Sequence, residues 1–493
     1  MNMTLSALLP GTALPSHLAA VAVPGIAMDT RRLNAGDLFM AVPGEQVDGR
    51  AFIPDAIRAG ACAVLTESSQ QVVNEQGGVP VIGVPALREQ AGEIAGRFFG
   101  QPSRQLHCVG VTGTNGKSSC TWFLRDALQA LGHPCALVGT LGMSFDGTRL
   151  DTGHTTPDVI TLQSGLARFR EQGASDVAME VSSHAMVQHR LSGVDINIAV
   201  FTNLSREHLD YHGDMDAYFA AKARLFQLPS VGHAVINVAD PAGVGLVDVL
   251  DEQVMVTRFN TEAADVFCLA ARTDTRGMSL DLRVADETIT VQLPLYGRFN
   301  VDNVQAVAAV LHAMGYGADE MAPALAAMTP VPGRMQRVVR GDDSGPTVLV
   351  DYAHTPDALE KALQAVRQHF NGRVHVVIGC GGNRDAGKRP QMAAVAADQA
   401  DQCIFTADNP RNESPQAIID EMMVGVRDVD AVVQEVQRPV AIHRAIHAAA
   451  PADVVLIAGK GHEGWQEIAG ERVPMDDVQL AGQALDSYVG GAA

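Results

Sequence analysis

Gln105-Leu106-His107-Cys108-Val109-Gly110-Val111-Thr112-Gly113-Thr114-Asn115-Gly116-Lys117-Ser118-Ser119 reads as an apolar strand running into a glycine loop. The strand is expected over Gln105–Val111, and a helix over Cys120–Leu131 follows the loop. Strand, glycine loop and helix form the context in which a loop cradles phosphate. The glycines let backbone N–H groups face an anion, the helix start adds partial positive charge, and Lys117 adds a full one. Ser118 is placed to put its hydroxyl on Mg²⁺. The candidate nucleotide-binding residues are therefore Gly113, Thr114, Asn115, Gly116, Lys117, Ser118 and Ser119. One position departs from the general GxxxxGK[ST] pattern: Val111 stands where glycine is usual, and Gly110 comes one residue early. The plainer alternative is an ordinary glycine-rich turn, which the Gly-Lys-Ser at a strand–helix junction disfavours.

Outward from this loop, short β-rich apolar runs alternate with longer runs of helical period, the pattern of parallel sheets with crossover helices. Strands are expected at Asp37–Val42, Ala61–Leu65 and Val79–Val84, then a helix over Leu87–Phe99 that ends in the breaker Gly100-Gln101-Pro102. The next unit holds strands at Val177–Val181, Ile196–Thr202 and His233–Val238 and closes near Pro330-Val331-Pro332-Gly333. The last has strands at Thr347–Val350, Val374–Ile378, Gln402–Phe405 and Val454–Ile457. The expected class is α/β in three domains: a smaller N-terminal α/β domain over 1–101, a central P-loop ATPase-like parallel-sheet domain over 102–333, and a C-terminal Rossmann-like domain over 334–493.

Composition narrows the function. The formal net charge is −20, which disfavours nucleic acid and anionic membranes, because both need clustered Lys and Arg. Positive charge must then be concentrated at particular sites. Seven cysteines without CxxC spacing argue against a disulfide framework or a zinc site. No Lys or Arg precedes Arg31, so a secretory leader is not expected, and no apolar run is long enough to span a bilayer. A cytoplasmic location is expected.

Each strand end in the last unit carries a polar motif: Asp351-Tyr352-Ala353-His354-Thr355-Pro356, then Gly381-Gly382-Asn383-Arg384-Asp385, Asp408-Asn409-Pro410-Arg411, and Gly459-Lys460-Gly461-His462-Glu463. Ligands of open parallel sheets bind outside the carboxyl ends of the strands, so the four motifs are expected to share one crevice. Arg384, Lys388, Arg411 and Lys460 against Asp408 and Glu463 suit a zwitterionic ligand.

The spelling Thr112-Gly113-Thr114-Asn115-Gly116-Lys117-Ser118 resembles the Mur ligase and folylpolyglutamate synthetase superfamily, and matching motifs occur in all three units. Glu180, late in an apolar strand, is costly unless paired, and a Mg²⁺ beside the loop would pair it. The resemblance implies a second Mg²⁺ at His208, in His208-Leu209-Asp210-Tyr211-His212, and at Lys222, carrying a carbamate formed from CO₂. Lys117, Glu180, His208 and Lys222 are thus the implied catalytic residues, and Ser118, Glu180, His208 and carbamylated Lys222 the metal ligands. Tyr296-Gly297-Arg298-Phe299-Asn300 matches an element that lies near adenine in the family, although Asn300 reads equally as a helix cap. Arg334 is expected to reach the ATP phosphates.

Further carry-over follows by motif. Asp408-Asn409-Pro410-Arg411 is similar to the motif of family members that add diaminopimelate, which implies that Arg384, Asp408, Asn409, Pro410, Arg411, Gly459 and Glu463 bind that amino acid. Met28-Asp29-Thr30 and Glu45-Gln46-Val47 resemble the uridine-binding parts, with Thr30 where serine is more usual. Thr155, Thr156, Ser182, Gln188 and Arg190 match positions that hold a muramoyl dipeptide, and His154 stands where some relatives carry asparagine. The implied reaction is ATP-dependent amide ligation in peptidoglycan synthesis. It joins meso-diaminopimelate to the D-Glu γ-carboxylate of UDP-N-acetylmuramoyl-L-Ala-D-Glu through an acyl phosphate, by a monomer. The rivals are a folylpolyglutamate-synthetase-type ligase and a P-loop regulatory protein that hydrolyses ATP slowly.

Overall fold

The computed structural model describes residues 3–45, 47–339 and 345–488, so Gln46, expected at the uridine site, lies outside the described residues. The chain divides into two compact units. One is Met1–Phe267 with Val284–Glu287 and Asn303–Leu325; the other is Cys268–Arg283 with Thr288–Asp302 and Ala326–Ala493.

In the first unit, six parallel strands stand in the order Cys135–Gly139, Asp176–Glu180, His107–Thr112, Ile198–Phe201, His233–Asn237 and Met255–Phe259. An antiparallel hairpin, Gly142–Phe145 with Thr148–Leu150, extends the edge beside Cys135–Gly139. All five residues of Cys135–Gly139 and of Asp176–Glu180 are buried. That burial follows from helices covering both faces of a parallel sheet, which removes the polar–apolar alternation of a half-exposed strand. Leu162, Leu166 and Phe169 of the helix Val159–Glu171 pack on one face with Val177 and Met179. Burying each such side chain stabilises by about 1.5–3 kcal/mol. That helix starts at Asp158, whose carboxylate accepts from the amides of Ile160 and Thr161, both at 3.0 Å.

The chain leaves His107–Thr112 for one flank of the sheet and later returns to build the other. His107–Thr112 therefore lies at the switch point, where the connections diverge and leave a crevice at the strand ends. The same unit holds a five-stranded sheet ordered Ile26–Ala27, Leu38–Ala41, Ala63–Glu67, Val79–Val84 and Val72–Gln76; only the last strand is antiparallel.

The second unit has a six-stranded sheet ordered Gln336–Val338, Thr347–Asp351, Val454–Ala458, Val374–Ile378, Gln402–Phe405 and Val432–Gln434. Only Gln336–Val338 is antiparallel. Val454–Ala458, last of the parallel strands in sequence, is inserted between Thr347–Asp351 and Val374–Ile378. That insertion brings four strand ends side by side. Arg438 and Asp477, both wholly buried, form an ion pair at 2.6 Å behind them, and the Arg438 guanidinium also donates to Ala458 O at 3.0 Å. A separate hairpin pairs Trp465–Ile468 with Glu471–Pro474.

Candidate active site

The glycine loop closes the strand at the switch point. Gly113 and Gly116 hold φ +146° and +87°, conformations that a side chain resists. A Cβ at Gly113 would fall 1.9 Å from Thr202 Oγ1, and one at Gly116 2.4 Å from Asn303 Oδ1. The loop is braced from the next strand: Asn115 N donates to Asn203 Oδ1 at 2.9 Å, and Thr202 Oγ1 donates to Asn115 O at 2.6 Å. Lys117 Nζ folds over the loop and donates to Gly113 O at 2.8 Å and Thr114 O at 2.9 Å. The helix runs from Lys117 to Ala130 with Gly116 at its N-cap and no side-chain cap, and a helix start of this kind favours an anion. Ser118 and Ser119 are both buried in its first turn.

Glu180 ends the neighbouring strand and is 2 % exposed. Its Oε2 accepts from Ser118 Oγ at 2.9 Å and its Oε1 from Thr140 N at 2.8 Å. Among the described residues it has no cationic partner within ion-pair distance. A buried, unpaired carboxylate beside a hydroxyl is costly and fits a hard divalent cation held by oxygen donors.

Lys222, on the helix Met215–Ala223, is also 2 % exposed. Its Nζ donates to Gly113 O at 2.8 Å and lies 4.4 Å from the centroid of the Tyr218 ring. Burial pushes the Lys222 ammonium down to about 6, and Lys117 acts in the same direction against Glu207. His208 is exposed, at φ +56°, with its ring 4.8 Å from that of His184. Among the described residues, no three His, Cys, Asp or Glu side chains gather as a metal cage. The donor set in place is the Ser118 hydroxyl with Glu180.

In the second unit the four strand-end motifs do converge. Asn409, 4 % exposed, donates from Nδ2 to Glu463 Oε2 at 2.9 Å. The wholly buried Lys460 donates from Nζ to Asn409 Oδ1 and Glu463 Oε2, each at 3.1 Å. Gly459 holds φ +114°, and a Cβ there would meet Asp408 Oδ2 at 2.8 Å. Arg411 does not pair with Asp408 or Glu463: its Nε donates to Glu467 Oε2 at 3.1 Å and its Nη1 to Gly382 O at 2.8 Å. Pro410 is buried beside it, whereas Arg384 is exposed. Asn300 lies inside the helix Phe299–Ala313 rather than at its cap, and its Nδ2 donates back to Tyr296 O at 2.9 Å. The Arg334 guanidinium stands 5.9 Å from the centroid of the Tyr352 ring.

A cavity of about 350 Å³ in the first unit is bounded by Met28, Glu45, Arg88, His154, Gln188 and Arg190, among others. Arg190 Nη1 donates to Thr156 O at 2.9 Å, and Gln188 Nε2 donates to Glu45 Oε2 at 2.9 Å. Thr156 Oγ1 donates to Glu180 O at 2.9 Å and accepts from Ser182 N at 3.2 Å. One threonine thus links the dipeptide-site candidates to the main chain of Glu180, whose side chain faces the phosphate loop. Thr155 Oγ1 lies 3.2 Å from Thr140 Oγ1. Burial, then Arg190, holds the His154 imidazole below its ordinary range. Thr30 begins the short turn capped by Asp29, and Val47 is exposed; neither lines the cavity.

Three family matches cover most of the chain: the Mur ligase family, catalytic domain, over residues 22–99; the Mur ligase middle domain over 111–311; and the Mur ligase, glutamate ligase domain over 333–461. The UDP-N-acetylmuramoyl-L-alanyl-D-glutamate--2,6-diaminopimelate ligase of Coxiella burnetii is 45 % identical over 95 % of this chain and 96 % of its own length. That of Pseudomonas syringae pv. tomato is 46 % identical over 94 % and 95 %. The chain belongs to the Mur ligase family. A solved structure titled as a ligase of the same name is 34 % identical, covers 99 % of both chains and superposes with a TM-score of 0.75. The Mycobacterium tuberculosis folylpolyglutamate synthase, at 20 % identity and a TM-score of 0.61 over 82 % of this chain, shares the fold. As a Mur ligase, the protein is an ATP-dependent ligase with the three-domain α/β fold of its neighbours.

Several Mur ligase site features had no signal in the sequence. Thr140, which supports Glu180, sits after a strand with no recognisable motif. Glu467, the partner of Arg411, lies on a hairpin that its sequence does not mark as part of any site.

Proposed function

We propose that this Mur ligase joins meso-diaminopimelate to the γ-carboxyl group of D-Glu in UDP-N-acetylmuramoyl-L-Ala-D-Glu, with ATP converted to ADP and phosphate. The acceptor crevice carries this reading. It sets a guanidinium, Arg411, whose Nη2 takes no bond among the described residues, near Asp408 and the pair that buried Lys460 makes with half-buried Glu463. That mixture suits an amino acid with two amines and two carboxylates. The named relatives at 45 % identity support the same substrate. Division into three domains at residues 101 and 333, a monomeric state and a cytoplasmic location belong to the same proposal.

In this reading the amides of the Gly113–Ser119 loop and Lys117 hold the ATP phosphates and balance their charge. The D-Glu γ-carboxylate attacks the γ-phosphorus and the bond to the bridging oxygen breaks, giving an acyl phosphate and ADP. The diaminopimelate amine then attacks the acyl carbon; phosphate departs and the amine loses a proton. Ser118 and Glu180 would hold one Mg²⁺, and His208 with carbamylated Lys222 a second; bound there, they would neutralise charge on the transferred phosphoryl group. The carbamate forms when the neutral Lys222 amine attacks CO₂ and releases a proton. Thr155, Thr156, Ser182, Gln188 and Arg190 would orient the dipeptide, and Met28, Thr30, Glu45, Gln46 and Val47 the uridine. Asn300 and Arg334 would serve ATP, and Arg384, Asp408, Asn409, Pro410, Gly459 and Glu463 would complete the acceptor site with Arg411. Phosphate release with each candidate acceptor, diaminopimelate, lysine and glutamate, tests this. Turnover with diaminopimelate and the UDP-dipeptide is expected, and equal turnover with glutamate on a folate would favour the synthetase rival.

A further inference from the structure

The hairpin Trp465–Pro474 has no role in the reaction as described, yet its first strand lies along the Asp408–Arg411 loop. Gln466 Nε2 donates to Asp408 O at 2.6 Å and Glu467 N to Asn409 Oδ1 at 2.9 Å. Arg411 N donates to Glu467 O at 2.9 Å, and Ala469 N donates to Arg411 O at 2.7 Å. Those main-chain bonds hold Arg411 at φ +50°, a left-handed conformation that an arginine rarely adopts. The side chain is held as well. Glu467 Oε2 fixes Nε and Gly382 O fixes Nη1, so two anchors from different segments set the plane of the guanidinium. A guanidinium carries five N–H donors in a rigid fork; Nη2 keeps its donors clear of any described partner. A free arginine samples many rotamers and would lose that freedom on binding. This one is oriented beforehand.

We propose that Glu467 is a positioning residue that aims Arg411 at a distal carboxylate of the amino-acid substrate, and thereby sets the preference for diamino acids that carry this group. The inference rests on the reading of Arg411 as the carboxylate-binding group. Glu467 has an opposing effect, since its own charge repels a second carboxylate. At 30 % side-chain exposure that repulsion is screened by water, whereas the orientation it imposes acts on every substrate carboxylate that arrives. Lysine, lacking the group, is indifferent to both effects.

The test is kcat and KM for meso-diaminopimelate and L-lysine in wild type, Glu467→Ala, Glu467→Gln, Arg411→Ala and the Arg411→Ala/Glu467→Ala pair. The alanine at 467 keeps the main-chain bonds of the hairpin. It is expected to raise KM for diaminopimelate about fivefold or more, with kcat nearly unchanged. Lysine kinetics should stay at the wild-type level. Glu467→Gln, which keeps an acceptor oxygen, should recover most of the loss. In the Arg411→Ala background the second substitution should change nothing further. A lower KM for diaminopimelate in Glu467→Ala, or an equal loss for both substrates, would overturn the proposal. If Arg411→Ala collapses the preference while Glu467→Ala preserves it, only the role of Glu467 fails; if Arg411→Ala preserves it, the reading of Arg411 itself fails.

Discussion

Replacing Lys222 by methionine removes an amine and keeps most of its volume. An ordinary lysine, at 10.5, is neutral in about one molecule in a thousand at pH 7.5; with its value pushed down to about 6 by burial, Lys222 is neutral in nearly all. The fold therefore raises the population able to attack CO₂ by roughly a thousandfold. Keeping an ordinary lysine neutral at that pH costs about 4 kcal/mol, a cost met by the rest of the fold, and methionine relieves it. Lys222→Met is thus expected to melt at or above the wild-type temperature in scanning calorimetry. Its ADP release in a coupled assay should fall at least a hundredfold, on the order of losing one electrostatic contact to a transition state. Wild type in CO₂-free buffer should lose activity and regain it on adding bicarbonate, and the variant should do neither. A variant within about tenfold of wild type, or a wild type indifferent to CO₂, would refute the carbamate and with it this use of burial.

Glu180→Gln keeps the shape, its oxygen accepting from Thr140 N and its amide donating to the Ser118 hydroxyl, but removes the buried charge; the Mg²⁺ concentration for half-maximal ADP release should rise about tenfold or more, and an unchanged titration would count against a metal at this carboxylate. Gly459→Ala must place a Cβ against Asp408 Oδ2 at φ +114°; a lower Tm and a higher KM for diaminopimelate are expected, and wild-type values of both would show the strand end to be more pliable than drawn. Asp176 gives a pH dependence. Burial raises its carboxyl, but the His107 ring 3.3 Å away and hydrogen bonds with Ser175 and His133 outweigh that and hold it below its ordinary 3.8. A depressed folded value stabilises above the ordinary range and is lost as pH falls through it. The Tm gap between wild type and Asp176→Asn should be full near neutrality and close below about pH 4; a gap independent of pH would contradict this.

Strand positions were legible wherever burial on both faces demands a continuous apolar run. Val79–Val84, Val374–Ile378 and Gln402–Phe405 match to the residue, and His107–Thr112 differs from the expected span by two residues at its start and one at its end. The antiparallel additions were not legible. Gly142–Leu150, Gly277–Leu293 and Trp465–Pro474 are short or half-exposed, and their pairing depends on turns and neighbours rather than on composition. The phosphate loop was readable because glycine, lysine and serine at fixed spacing carry their mechanism with them. Lys222 was not: on a helix with little amphipathic pattern, nothing in its neighbours announces that its amine is buried against Gly113 O. Resemblance supplied it, and the geometry gives the physical reason why an amine there is reactive. Arg411 was legible as a cation in a motif, but its partner Glu467 lies 56 residues further on, and only the folded chain brings the two together.

A ligase of this kind couples ATP cleavage to the joining of two substrates. Continuous ADP release, followed with ATP alone, with each substrate added singly and with both together, tests it directly. Sustained release only when the UDP-muramoyl dipeptide and meso-diaminopimelate are both present is the expected result, with one amide formed for each ADP. Release at the same rate with ATP alone would contradict it and leave a slow ATPase in its place.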